Sequence, residues 1–452
     1  MDHAAIHLAH AVVLPFVMMR PRSQLLLESG SVLIVVLVVC IGLVSLTLLL
    51  GHSTLMAYRG SDNDIAGREA DQAVEGAAQY AETIIQSGTT IGVMPDSTTY
   101  QAQAVPLGES YFWFIGEPDP TDNSNSVAFG LVDECSKLNL NTATAAMLEN
   151  LPGMTQELAE AIVSWRTSTS SSSSATSTAS ASSVEKNAPF ETVEELAQVD
   201  GGTDMEILYG NDTNLNHVMD ENETAGGSSG FSPGLMEYVT VYSREPNTMS
   251  DGSKRINVTS VSGTLAALLT GTFGTQRGGQ IVRTLRRPGP IRSVLEFYMK
   301  SGMTPAEFAE ISPELTATNG AYSVGLINVN TASAAVLECV PGITQALAQQ
   351  IVSTRQAQTQ PTNNLSWVAS ILGPQVSVQA GPYLTAETFQ ITADVAAVGR
   401  HGRGYRRTLF VIDNSTGTPQ IVYRRNMAPL GWALGSQARQ FIAAQQGEGT
   451  KL

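Results

Sequence analysis

Residues 212–223, DTNLNHVMDENE, carry the densest set of groups able to do chemistry. Read as a twelve-residue cation loop, they put Asp212, Asn214 and Asn216 at positions 1, 3 and 5. The Val218 carbonyl falls at 7, Asp220 at 9 and Glu223 at 12, a succession of hard oxygens suited to calcium. His217 takes the place of the glycine that such loops use at their sharp turn, and the flanking residues are only weakly helical. The same residues also fit an Asx-rich polar turn with no ion. If calcium is bound, it pins an otherwise loose stretch. Catalytic signatures are missing: the histidines at 3, 7, 10, 52, 217 and 401 stand apart, with no HExxH, phosphate loop or Ser/His/Asp set. A non-enzymatic chain is therefore expected, with an envelope hydrolase as the weakest alternative.

The strongest internal signal is a duplication. KLNLNTATAAMLENLPGMTQELAEAIVSWR (137–166) and LINVNTASAAVLECVPGITQALAQQIVSTR (326–355) align without a gap. Each copy reads as a helix-hairpin-helix: Asn141 or Asn330, or the Thr after it, as first N-cap, then a Pro152-Gly153 or Pro341-Gly342 turn, then a helix from near Thr155 or Thr344. Such hairpins can bind DNA phosphates through a Gly-x-Gly turn. Here Thr155 and Thr344 replace the second glycine and no Lys follows before Arg166 or Arg355, so packing is favoured over phosphate binding. Partner helices are expected in 187–201 and 288–311.

The elements that position these hairpins begin with residues 31–50, an uncharged apolar run spanning about 30 Å as a helix, the thickness of a bilayer core. A cleaved secretory signal is the alternative. Arg20 and Arg22 before the run favour a cytoplasmic start. Helical spacing continues to Gly88, giving one stalk helix. Residues 111–132 read as a β-hairpin, while 389–395, with Gln390, Thr392 and Asp394 alternating with apolar residues, 405–412 and 420–425 read as strands. If they form one sheet, residues 136–380 are an insertion into an α+β domain.

The 452 residues carry 25 Lys+Arg against 41 Asp+Glu, a net charge of −16, which opposes nucleic-acid binding. Arg400, Arg403, Arg406, Arg407, Arg424 and Arg425 make one local basic patch, able to meet an acidic partner or to balance the acidic bulk. Three cysteines make no disulfide framework and no zinc site, although a Cys135–Cys339 bridge is conceivable.

With ESGSVLIVVLVV (28–39), KLNLNTA (137–143), KNAPFETVEELAQV (186–199) and LINVNTASAAVLECVPG (326–342), the chain resembles protein K of type II secretion systems, also called general secretion pathway protein K, a family of large, atypical minor pseudopilins. The resemblance implies an α+β fold: a pilin-like long N-terminal helix on a small antiparallel sheet, with an inserted α-helical region holding two helix-hairpin-helix (SAM-like) units. It divides the chain into a leader (1–30), a stalk (31–88), a sheet domain (100–135 plus 380–440), a first helical domain (136–210) with a Ser/Thr-rich loop (167–183), a calcium-loop connector (211–280) and a second helical domain (281–378). It also implies cutting by prepilin peptidase between Gly30 and Ser31, and Val35 at the fifth mature position, where pilin-like subunits usually carry Glu. Minor pseudopilins I and J are the implied partners, with secreted substrate or the outer-membrane channel as further contacts. The implied location is the inner membrane, crossed once, with the bulk in the periplasm, and calcium is implied by some relatives. The segment 326–352 also resembles the helix-hairpin-helix module of membrane-anchored, competence-type DNA receptors.

Overall fold

A computed structural model describes residues 27–88, 90–118, 125–167, 186–201, 203–220, 223, 231–287, 289–358 and 363–449. The expected leader up to residue 26 and the Ser/Thr-rich tract from 168 onward lie outside the described residues. The chain divides into two units, Met1–Asn63 and Asp64–Leu452, taken separately here.

In chain order the elements are α1 (Leu27–Ser87), β1 (Val105–Leu107), β2 (Ser110–Ile115), β3 (Val132–Asp133), β4 (Leu138–Asn139), α2 (Ala145–Leu148), α3 (Gln156–Arg166), α4 (Met205–Tyr209), β5 (Val239–Thr240), β6 (Arg244–Pro246) and β7 (Ile256–Asn257). Then come α5 (Gly263–Leu285), α6 (Val294–Ser301), α7 (Pro305–Ile311), β8 (Leu315–Thr316), β9 (Tyr322–Val324), β10 (Ile327–Asn328), α8 (Ala334–Glu338), α9 (Gln345–Gln356) and α10 (Ser366–Ala380). The last are β11 (Leu384–Thr385), β12 (Gln390–Val398), β13 (Arg406–Asp413), β14 (Gln420–Asn426) and α11 (Gly435–Gly449).

In the first unit the α1 side chains from Val32 to Leu50 are exposed and almost wholly apolar. In the second, α1 buries Ala66, Ala70, Ala73, Val74, Ala77, Ala81, Ile84 and Ile85. The small alanines let the helix lie close on a sheet face made by Phe112, Phe114, Ile391, Ala393, Val395 and Phe410. Gly404 shows how close: its φ is +70° and a Cβ there would sit 2.5 Å from the Ala66 carbonyl carbon, so only glycine serves both needs.

The main sheet runs β1-β2-β12-β13-β14, antiparallel at every pairing, with β3 also on β12 beyond β2. Strand β12 therefore joins segments from both ends of the chain, and what lies between is the insertion. The expected 111–132 hairpin is reduced to one bridge, Ile115 to Phe129, because β2 and β3 each pair with β12 instead. Nor does β12 show a solvent face: every residue is buried, and Gln390, Thr392 and Asp394 meet polar groups rather than water.

The insertion holds three closed modules. In each, a two-residue strand at the start pairs in parallel with one at the end: β4 with β5, β7 with β8, β10 with β11. The closures repeat atom for atom. Leu140, Val258 and Val329 donate their N–H to Thr240, Thr316 and Thr385. Asn139, Asn257 and Asn328 accept, through Oδ1, the N–H two residues on. The closing threonine hydroxyls donate to Glu134, Asn247 and Glu245. The first and third modules share one apolar core, while the second has its own, around Leu265, Phe297 and Phe308. This corrects the expected division: the first module runs on past 210 to β5, so 211–280 is no separate connector, and α5 belongs to the second module. The expected N-caps at Asn141 and Asn330 are also corrected, since Thr144 and Ser333 cap α2 and α8; Thr155 and Thr344 cap the second helices as expected. Cys135 and Cys339 are buried free thiols.

Within the second module, Arg277 of α5 forks onto Glu307 of α7 with two 2.7 Å bonds, and Glu307 completes a capping box with Thr304. The guanidinium, then the Thr304 N–H, pull the Glu307 carboxyl down to about 2. A depressed acid stabilises the fold above its unfolded value and loses that contribution as pH falls through the folded one. After discounting for solvent screening, Glu307→Gln should cost about 1 kcal/mol at pH 7. The difference from the parent should shrink toward zero between pH 4.5 and 2 in urea-unfolding midpoints.

Candidate functional site

The 212–223 loop lies within the first module and is not loose: Asp212, Asn214, Asn216, Val218 and Glu223 are all buried. Its tightness comes from the loop's own oxygens. The Asp212 carboxylate accepts from the Asn216 N–H at 3.1 Å and the His217 N–H at 2.7 Å. Asn216 Oδ1 accepts from the Val218 N–H. Glu223 Oε1 takes the Thr213 N–H and hydroxyl at 2.9 and 2.8 Å, and its Oε2 takes the Asp220 N–H. Glu221 and Asn222 lie outside the described residues. His217 has φ +63°, the left-handed turn for which such loops use glycine.

One buried oxygen in the loop is left over. Asn214 Oδ1 is buried with no hydrogen-bond partner, at the third position of the spacing. The amide nitrogens of Asn214 and Asn216 donate to Asp220 Oδ2 at 2.7 and 3.1 Å, which brings these three side chains together. Among the described residues no three His, Cys, Asp or Glu side chains gather as a metal set, and the loop's donor set is instead mixed carboxylate and amide oxygen.

What holds the loop was not legible in it. Arg407 on β13, fully buried, pairs with Asp394 on β12 through Nε at 3.0 Å and Nη2 at 2.5 Å, and its other hydrogens go to the Asn214 and Leu215 carbonyls. His217 Nδ1 lies 2.9 Å from Glu237. Burial alone would lower the His217 value, but the Glu237 charge outweighs it and raises it. Burial raises the Asp212 carboxyl despite His217 nearby.

In the hairpin turns, Gly153 and Gly342 have φ +75° and +87° after Pro152 and Pro341. The repeated arginines point inward: Arg166 donates to the Leu140 and Ala143 carbonyls, Arg355 to Val329 and Ala332 at 3.3 and 2.5 Å. They brace each copy's entry loop. The second turn is also covered, since a Cβ on Gly342 would meet Gln379 of α10 at 2.6 Å.

The basic patch is largely spent inside the chain. Arg400, Arg406 and Arg424 pair with Glu69, Asp71 and Glu75 along α1, Arg407 with Asp394, and Arg425 with Glu194. It clamps the sheet to α1. Gly30 and Ser31 fall within α1, and Val35 is exposed in its apolar stretch.

A profile described as "Helix-hairpin-helix motif" matches residues 133–177 and 323–380, the two duplicated hairpins. No curated protein matches the chain. Among solved structures, one chain of the GspK-GspI-GspJ complex from the enterotoxigenic Escherichia coli type 2 secretion system is similar at 16% identity. The match covers 40% of this chain and 72% of that one, with a TM-score of 0.17. A superposition that weak leaves the functional reading to this chain's own residues.

Arg407→Met should destabilise the protein by about 3–5 kcal/mol, because it strands the buried Asp394 charge. Arg407→Met combined with Asp394→Leu should recover part of that loss in the urea midpoint, which a purely steric role for Arg407 would not allow.

Proposed function

We propose that this chain is a non-enzymatic minor pseudopilin of the protein K kind, capping the tip of the periplasmic pseudopilus in type II secretion. The observation that carries this reading is α1, one helix that is bare and apolar over its first half and buried on a pilin-like sheet over its second. It is the one described helix long and apolar enough to cross a membrane. Inner-membrane anchoring with the sheet and modules in the periplasm follows from this reading. Val35 supports the tip position: a carboxylate in lipid must find a partner, and a subunit without one has no such need of a neighbour. The inserted modules supply the bulk that keeps further subunits from adding. Minor pseudopilins I and J would be the filament partners, prepilin peptidase the processing enzyme, and secreted substrate or the outer-membrane channel further contacts. The inward turn of Arg166 and Arg355 favours this over a DNA receptor.

Calcium belongs to the same proposal, held by Asp212, Asn214, Asn216, the Val218 carbonyl, Asp220 and Glu223. When bound it would supply charge to offset the buried carboxylates and so stiffen the loop. Millimolar calcium should raise the melting temperature by several degrees, reversibly with EGTA, and Asp212→Asn should abolish the shift. A parent protein indifferent to EGTA would remove the ion from the account.

The primary test is mass spectrometry of the N-terminal peptide of protein extracted from its native membrane. We expect a peptide starting at Ser31 with a methylated amino group. An uncut N-terminus, or a cut beyond residue 50, would overturn the pseudopilin reading and bring the DNA receptor forward.

A further inference from the structure

On a chain of net charge −16, many of the described cations find an acid. Arg244 pairs with Asp413, Arg255 with Glu245 and Glu387, Arg277 with Glu307, and the β12–β14 arginines with α1 and the sheet. One group does not. Arg283, Arg286 and Arg287 at the end of α5, and Arg292 on the connection to α6, are all exposed, and among the described residues none is ion-paired. Arg283 lies in the last turn of α5, Arg286 is its C-cap and Arg287 follows it. Arg283 Nε is engaged by the Gly279 carbonyl, an ordinary role near a helix C-terminus, but among the described residues Arg286 and Arg287 make no side-chain hydrogen bond. The acid in this connection, Glu296, is buried and already bound by Lys300 and the Arg292 N–H.

Arg292 also lines a cavity of about 320 Å³ between the second and third modules, together with Arg255, Ser293, Phe308, Thr318 and Glu387. The Arg255 side chain is 7% exposed, and although its terminal nitrogens are ion-paired, its buried Nε has no acceptor. Two carboxylates at that guanidinium make the recess a poor host for an anion, so the four exposed arginines are the cations left to meet a partner.

We propose that this island is a docking site for an Asp/Glu-rich segment of a partner protein. The partner's carboxylates pair with Arg283, Arg286, Arg287 and Arg292. Planar guanidinium groups match carboxylates by paired hydrogen bonds. A nucleic acid fits less well, because its evenly spaced phosphates would run beyond four arginines into an acidic surface. A lipid surface is an outcome of the test below, since exposed Tyr322 and Val324 also line the recess. The inference does not depend on the filament reading.

The test is fluorescence anisotropy of a fluorescein-labelled polyglutamate peptide of about 20 residues with the full chain in uncharged detergent, at low salt. Binding is expected despite the net charge, and Arg286→Glu with Arg287→Glu should weaken it about tenfold or more. Arg68→Glu with Lys254→Glu changes the total charge equally and should leave affinity within about twofold. Melting curves of both double variants check the fold. No binding, or equal weakening by the two variants, would overturn the proposal. So would tighter, Arg286/Arg287-dependent binding of duplex DNA or of phosphatidylcholine vesicles containing phosphatidylglycerol, which would make the island a phosphate surface.

Discussion

The chain must leave its sheet at β3 and return at β12 in the same place, and two buried carboxylates at that exit hold the arrangement together. Asp133 accepts the Asn328 amide at 2.8 Å, the Thr331 hydroxyl at 2.6 Å and the Thr388 hydroxyl, so that the exit strand, the third module's entry and the strand returning to the sheet share one anion. Next to it, Glu134 takes the Thr240 hydroxyl that closes the first module and the Thr392 hydroxyl of β12. A carboxylate with this many donors is costly to strand, so the fold is committed at the junction, where loop closure over the whole insertion would otherwise leave it loose. Burial still raises the Asp133 carboxyl, which is the expense of supporting the joint with charge.

That junction also explains a pattern the sequence showed but for a different reason. Alternation along β12 reads as one wet face and one dry face. In fact both faces are dry: the polar set Gln390, Thr392 and Asp394 meets Asp413, Glu134 and Arg407. Period-two alternation distinguishes polar from apolar surroundings, and solvent is only the commonest polar surrounding. The same limit applies to the arginine cluster. Its presence is plain in the sequence, but the acids of Arg400, Arg406 and Arg424 lie on α1, more than 300 residues away in the chain, and only the fold shows that the charge is used internally.

The duplicated hairpins were legible because helix, Pro-Gly turn and helix all recur in order. The middle module escaped notice since it keeps the closure and discards the hairpin. Ile256-Asn257-Val258-Thr259 repeats Ile327-Asn328-Val329-Asn330, and the closing Leu315-Thr316 repeats Leu384-Thr385, but between them stands the long kinked α5. What recurs is therefore a clasp of two short strands, an asparagine and a threonine, rather than a helical unit. A clasp brings the ends of its module together, so each helical group can vary inside without moving its neighbours. The shared hub at Asp133 and Glu134 needs that independence.

The 212–223 loop shows where local chemistry stops being sufficient. Its oxygens and their spacing can be read from twelve residues, and the left-handed turn occurs at His217 as the spacing demands. Its support comes from Arg407, nearly 200 residues away, because carbonyls turned outward by a tight loop need a donor that is itself neutralised, and β12 supplies Asp394 for that. Loop, sheet and first module are thereby locked into one electrostatic unit, with negative charge to spare at Asp212, Asp220 and Glu223. An ion of opposite charge would settle that excess from within. Without one, the loop must be closed by the Asn214 and Asn216 amides facing Asp220, which leaves Asn214 Oδ1 unserved. That single orphaned oxygen is the point at which the amide-closed loop falls short of a fully satisfied interior.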